Sequence, residues 1–220
     1  MTVMDAGGLF RNYAIDIVLL PPPEVTEAAI QINRMLIEKT GDDAIRLDMT
    51  DRIPHVSLAM GCIPGSALSE LNVPLERLAN RLLPMEIGIE GAATVVTDSD
   101  DRVSGINLAK DDSLFVLHRS VVAQLAGIKK EKCTPASFIR DDDEVLTPFT
   151  LGYVPEYAKN AAYERYSPHI TLGNGDVTTL ENLPVLPENA TFSTLAVCHL
   201  GNHCTCRSVL WSTDAGGKRV

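Results

Sequence analysis

The sequence has no unbroken run of eighteen apolar residues, so no segment reads as a membrane-spanning helix. It is also short of basic residues. Its 19 Lys and Arg against 29 Asp and Glu leave a formal net charge of −10. Gripping long nucleic acid by its phosphates needs a basic stripe, so the deficit argues against that class. It leaves room for a small nucleotide, or an RNA end held in a local pocket. Five cysteines in 220 residues form no even-numbered framework, and reduced thiols are the simplest expectation. The N-terminal stretch MTVMDAGGLFRNYAIDIVLLPPPE has no basic start. Its short apolar run contains Asp16 and closes on Pro21, Pro22 and Pro23, unlike a secretory signal. A cytoplasmic setting is therefore expected. At 45 % hydrophobic and 22 % charged, the chain can bury a substantial core, as one large domain or two lobes sharing one.

Periodicity orders the elements. YAIDIVLL (13–20) is a β-branched apolar run stopped by prolines, which predicts a strand. From Glu24 to Lys39, Val25, Ala28, Ala29, Ile32, Met35 and Leu36 recur at helical spacing, with Gly41 beyond the end. IPHVSLAM (53–60) predicts a second strand. Helical sequence over 66–83 is expected to break or restart at Pro74. Two strands, MEIGIEGAATVVT and VSGINLAK, flank the turn DSDDR. Asp111 to Ser113 supply capping chemistry for a helix striped by Leu114, Leu117, Val121, Leu125 and Ile128. Residues 129–148 read as a loop or lid, and about 154–164 as a short helix. SPHITLG then gives a strand, and ATFSTLAVCHL with CTCRSVLW a hairpin turning at Gly201-Asn202. The last residues, DAGGKRV, read as frayed. The order describes a mixed α/β protein with hairpins rather than an alternating parallel one.

One pattern occurs twice. Residues 54–58 read PHVSL and residues 168–172 read PHITL. In a strand, positions i and i+2 share a face. His55 and Ser57 therefore point one way, as do His169 and Thr171, while Val56, Leu58, Ile170 and Leu172 face packing helices. Two such strands side by side present two imidazoles and two hydroxyls. Metal-free phosphodiester chemistry needs that set: one imidazole to take a proton from the attacking oxygen, and one to give a proton to the leaving oxygen. The hydroxyls can donate to the phosphate oxygens. A single H-x-[ST] strand is more often structural; the near-identical pair carries the signal.

The pair resembles the signature of the two-histidine (2H) phosphoesterase superfamily, which includes cyclic phosphodiesterases and 2′-5′ RNA ligase-like proteins. Motif spacing and chain length fit over essentially the whole sequence. The resemblance implies an α+β, bilobal fold: two pseudo-symmetric lobes of antiparallel strands with outer helices, residues 1–220 forming one bilobal domain around a central cleft. It implies His55 and His169 as the acid–base pair, Ser57 and Thr171 as substrate-binding hydroxyls, and no metal or other cofactor. The expected partner is a small nucleotide or an RNA terminus bearing a phosphodiester, with no membrane and no long nucleic acid. The expected reaction opens a 2′,3′-cyclic phosphate or a related cyclic or 2′-5′ diester, His169 serving as base and His55 as acid. The alternatives are 2′-5′ RNA ligase-like joining and non-catalytic binding of a phosphorylated ligand.

Other residues invite weaker readings. Cys198, His199, His203, Cys204 and Cys206 crowd nine positions. Across a hairpin turning at Gly201-Asn202, His199 would face Cys204 with Cys206 beside them, a geometry zinc could accept. The spacing fits no paired zinc pattern, and small buried thiols filling a sheet are the commoner outcome. His118 reads as a partly exposed structural residue on its helix. Tyr166 is placed either to stack on a nucleobase or to pack over a strand end, with Tyr163 nearby. Arg52 and Arg165 lie close to the motifs but are too ordinary to enter the site. The acidic stretch RDDDE (140–144) reads as a solvated loop.

Overall fold

A computed structural model describes residues 11–97, 100–128 and 132–214. Residues 129–131 of the expected loop and 215–220 of the expected frayed end lie outside these. Strand β1 (Asn12–Leu20) is buried along most of its length, and the prolines that stop it also start α1 (Pro23–Thr40), with Pro22 as N-cap. Val25, Ala28, Ala29, Ile32 and Leu36 form the buried stripe of α1. Gly41 ends it at φ 74°, its N–H returning to Ile37 O, a left-handed cap suited to glycine. After a loop come β2 (Val56–Pro64), α2 (Leu68–Leu82), β3 (Met85–Val96), β4 (Arg102–Leu108) and α3 (Asp112–Ala126). The Asp111 carboxylate accepts from the Ser113 and Leu114 N–H groups and caps α3 as expected. Then follow α4 (Pro148–Asn160), β5 (His169–Asn174), β6 (Asn189–Phe192), β7 (Thr194–Leu200) and β8 (Cys206–Asp214).

The strands form one antiparallel sheet in the order β6-β3-β4-β5-β2-β1-β7-β8. It divides at its middle. Between β5 and β2 the one backbone bridge among the described residues is Val56 to Ile170, whereas every other neighbouring pair is held by a run of partners. Four strands lie on each side, each half contributing one H-x-[ST] strand to the seam. The helices cross it. Following β1 in the chain, α1 packs on β5 of the other half, and α3, which follows β4, packs on β2.

Several expected elements differ in detail. Helix α2 runs unbroken through Pro74. The carbonyl that proline leaves without a helical partner belongs to Glu70, an exposed residue, so water can satisfy it. Helix α4 begins at Pro148 rather than near 154. Thr147 Oγ1 accepts from Thr150 N and starts it, and Pro155 sits inside it. The run ATFSTLAVCHL divides at Ser193 into β6 and β7, which pair with β3 and β1 at opposite ends of the sheet. Gly201-Asn202 is no tight turn, because a 3-10 turn at Asn202–Cys204 lengthens the connection.

The reduced-thiol expectation does not survive. Cys62 is disulfide-bonded to Cys133 and Cys198 to Cys206, leaving Cys204 as the free, buried thiol. The cytoplasmic setting loses that support. Among the described residues, no helix is long and apolar enough to cross a membrane.

Candidate active site

The bridge at the seam explains how the two motifs meet. Val56 and Ile170 are fully buried, so the residues on either side of each turn the other way. In an antiparallel pairing centred on that bridge, His55 lies toward Thr171 and Ser57 toward His169. Each imidazole thus stands across from the hydroxyl of the other copy. All four residues line a single cleft of about 1300 Å³.

Both imidazoles are held alike. His55 Nδ1 is 2.7 Å from Ile53 O, and His169 Nδ1 is 2.8 Å from Ser167 O. A carbonyl only accepts, so each Nδ1 carries the proton and donates it, and each Nε2 is left for chemistry. The Ile53 clamp is itself anchored, since Ile53 N–H donates to Cys206 O at 2.9 Å. The surroundings differ. The His55 side chain keeps 13 % of its surface in contact with solvent, whereas His169 is exposed. Burial pulls the His55 pKa down, the Ile53 carbonyl opposes this, and the positive field of His169 adds to the lowering.

The walls of the cleft are mixed. Phe149 and Tyr153 stack at 4.9 Å on the face of α4, with Tyr157 one turn further on. The arginines at the rim are already engaged. Arg52 reaches Asp51 and Asp141 at 2.9 Å each, Arg102 reaches Asp176 at 2.5 Å, and Arg165 donates to Lys159 O at 2.5 Å. An anionic ligand would compete with these partners.

The sequence-predicted residues sort cleanly. His55, Ser57, His169 and Thr171 come together. Tyr166 lines the cleft but is buried, its ring stacked on His118 at 3.8 Å, so it packs over the end of β5. His118 is fully buried, not partly exposed. The terminal Cys/His cluster is spent elsewhere: Cys198 and Cys206 are bonded to each other, and His199 Nε2 lies 2.9 Å from Ser137 O. Among the described residues, no group of three metal-binding side chains converges. Sequence reasoning missed Phe149 and Tyr153, because it began their helix six residues late. It also missed Asp16, whose signal was a lone acid inside the apolar run YAIDIVLL.

No protein-family model matches the chain, and neither does any curated protein sequence. Solved structures do. E. coli LigT, in complex with NADP+, is 14 % identical, with 93 % of this chain and 98 % of that one covered at a TM-score of 0.48. A crystal structure of a protein described as a phosphoesterase is 12 % identical, with 92 % and 98 % covered at 0.46. TT0787 of Thermus thermophilus is 15 % identical, with 94 % of this chain and 100 % of that one covered at 0.53. The chain therefore shares the α+β fold of TT0787 over nearly its whole length.

Proposed function

We propose that the chain is a two-histidine phosphodiesterase that opens a 2′,3′-cyclic phosphate, or a related cyclic or 2′-5′ diester, on a nucleotide or RNA end without a metal. One observation carries the reading: two imidazoles, each with Nδ1 fixed on a carbonyl and Nε2 free, flank two hydroxyls in one cleft. His169, the exposed member, takes a proton from water as the water attacks phosphorus. His55 gives a proton to the departing ribose oxygen, which would otherwise leave as a poor alkoxide. Ser57 and Thr171 donate to the non-bridging oxygens as charge builds on them. The stacked Phe149 and Tyr153 offer a platform for a base.

The volume of the cleft favours a second reading alongside the first. About 1300 Å³ exceeds the usual span of a small-ligand pocket, and an RNA end fits it better than a lone mononucleotide. With two RNA ends in place, a 5′-hydroxyl would replace water as the attacking oxygen, and the cyclic phosphate would open with its 3′ oxygen leaving to form a 2′-5′ bond.

Turnover of a panel of 2′,3′-cyclic nucleotides and short RNA ends in excess EDTA tests both readings. The wild type is expected to hydrolyse at least one substrate, and His55→Ala and His169→Ala to lose roughly 10²–10⁴-fold in kcat. Wild-type rates in both variants would sink the reading. A 2′-5′ joined product would move it to ligation.

A further inference from the structure

Asp16 is the one carboxylic side chain fully buried among the described residues. It sits in mid-strand on β1, opposite Met60 of β2 and Cys198 of β7. Neither carboxyl oxygen has a hydrogen-bond partner among the described residues. Its Oδ2 lies 3.7 Å from Nε2 of His55, the nitrogen that the Ile53 clamp leaves free. The other titratable groups facing it are Tyr153 and Tyr157 from α4, Tyr166 ahead of β5, and Cys204 between β7 and β8. Burial pushes all four up, Tyr153 to about 12, so none is ionised near neutrality. Among the described residues facing Asp16, His55 is therefore the one able to carry a positive charge. The second motif has no counterpart. Strand β4, which flanks β5, reads RVSGINL and carries no acid.

We infer that Asp16 is a positioning residue acting through His55: as a neutral carboxylic acid it holds the proton that His55 delivers to the leaving oxygen, which fixes His55 as acid and His169 as base. The inference rests on the phosphodiesterase reading above. Buried polar groups are normally hydrogen-bonded, and an ionised carboxylate without donors is very costly to bury. Desolvation accordingly drives the Asp16 pKa well above the usual carboxylate range. Ser57 and the Ala59 N–H lean the other way without reaching hydrogen-bond geometry. The same burial depresses His55, which by itself would be deprotonated at neutral pH and useless as an acid.

At 3.7 Å the two groups are not yet hydrogen-bonded, and closing that gap on ligand binding lets them hold one proton between them. Its transfer from Oδ2 to Nε2 makes an imidazolium beside a carboxylate, so the charges offset each other. The imidazolium gives that proton to the ribose oxygen as the P–O bond breaks, while His169 takes one from the attacking water. Solvent then returns a proton to Asp16 through His55, and His169 releases its own.

Two measurements on the full chain test this. In ligand-free protein, the ¹³C resonance of the Asp16 carboxyl, assigned by its loss in Asp16→Asn, is expected to remain that of the protonated acid through pH 7. Titration in the ordinary carboxylate range, about 4, overturns the inference whatever the substrate. The second is the kcat–pH profile of wild type and Asp16→Asn on a hydrolysed cyclic nucleotide. The variant should approach wild type at acid pH, where His55 takes up its own proton. Above the lowered His55 pKa it should fall behind by about tenfold per pH unit, with KM unchanged. A loss independent of pH marks a merely structural carboxyl and overturns the inference. Absence of wild-type turnover is the failure of the function reading, told apart because the Asp16 resonance still reads as protonated.

Discussion

His118 commits both ring nitrogens to the backbone. Nδ1–H donates to Leu58 O at 2.9 Å, and Nε2 accepts the Tyr163 N–H at 3.0 Å. Leu58 belongs to the first motif and Tyr163 leads into the second, so this third histidine ties the two approaches to the site together. Around it lie Phe115, Tyr163, the stacked Tyr166 and, electrostatically, Arg119. Burial lowers its pKa by desolvating the charged ring, the Leu58 carbonyl opposes this and Arg119 adds to it. Protonation would also turn the acceptor Nε2 into a donor facing the Tyr163 N–H. The unfolded imidazole binds its proton near pH 6.5, and the folded one does so lower. Stability from His118 is thus complete above about pH 6.5 and is lost as pH falls below it, by at most about 1.4 kcal/mol per pH unit. Urea unfolding of wild type and His118→Gln from pH 8 to 5 checks this: the gap between them should narrow with acid. A constant gap would mean that His118 is not held neutral. Asp16 titrates with the opposite sign, since its raised pKa withdraws stability as pH climbs above about 4. At this scale the sequence showed the motif pairs well, because i and i+2 in a strand are a local relation. What Asp16 and His118 do depends on burial and on neighbours far along the chain, which no local pattern encodes.

Between elements, Asn33 is the main polar junction. It is fully buried on α1, and its amide donates to Ile45 O and Leu172 O at 2.7 Å each while accepting from Leu47 N at 2.9 Å. One side chain thus satisfies the loop ahead of β2 and the backbone of β5 just past Thr171. Gly173 must stay small beside it: a Cβ there would meet Asn33 Nδ2 at 3.0 Å, and its φ of +130° is strained for any side chain. Asn33→Ala leaves three buried backbone groups without partners, each costing roughly 1–3 kcal/mol. The expected loss of several kcal/mol is readable from denaturant midpoints; a change under about 1 kcal/mol would show that the junction relaxes. Element identities were legible where periodicity was long, as in α1 and α3. They blurred where a capping threonine lay outside the apolar repeat, at Thr147. They blurred again where one β-rich run served two strands, at Ser193, since only the sheet decides which partner each part takes.

For the molecule as a whole, the two disulfides carry the clearest prediction. The Cys62–Cys133 bond spans 71 positions and ties β2 to the segment after α3. A loop of that length contributes about 4 kcal/mol by restricting the unfolded chain. Denatured without reductant, the protein is expected to react with one equivalent of thiol reagent, from Cys204, and with five after reduction. Five equivalents without reductant would restore the thiol state read from the cysteine count. That count could not show the pairing, because bonding depends on which strands the fold sets side by side.

The Val56–Ile170 bridge makes the seam a pivot. The four motif residues surround it, so any rotation of one half against the other changes the imidazole aperture and the hydroxyl spacing together. Helices α1 and α3 span the pivot as braces, each packed on the far half. The width of the cleft is therefore set partly by side chains on these two helices, behind the sheet. If the proposed activity holds, selectivity among cyclic esters is expected to shift when the braces are repacked, with no residue of the cleft replaced.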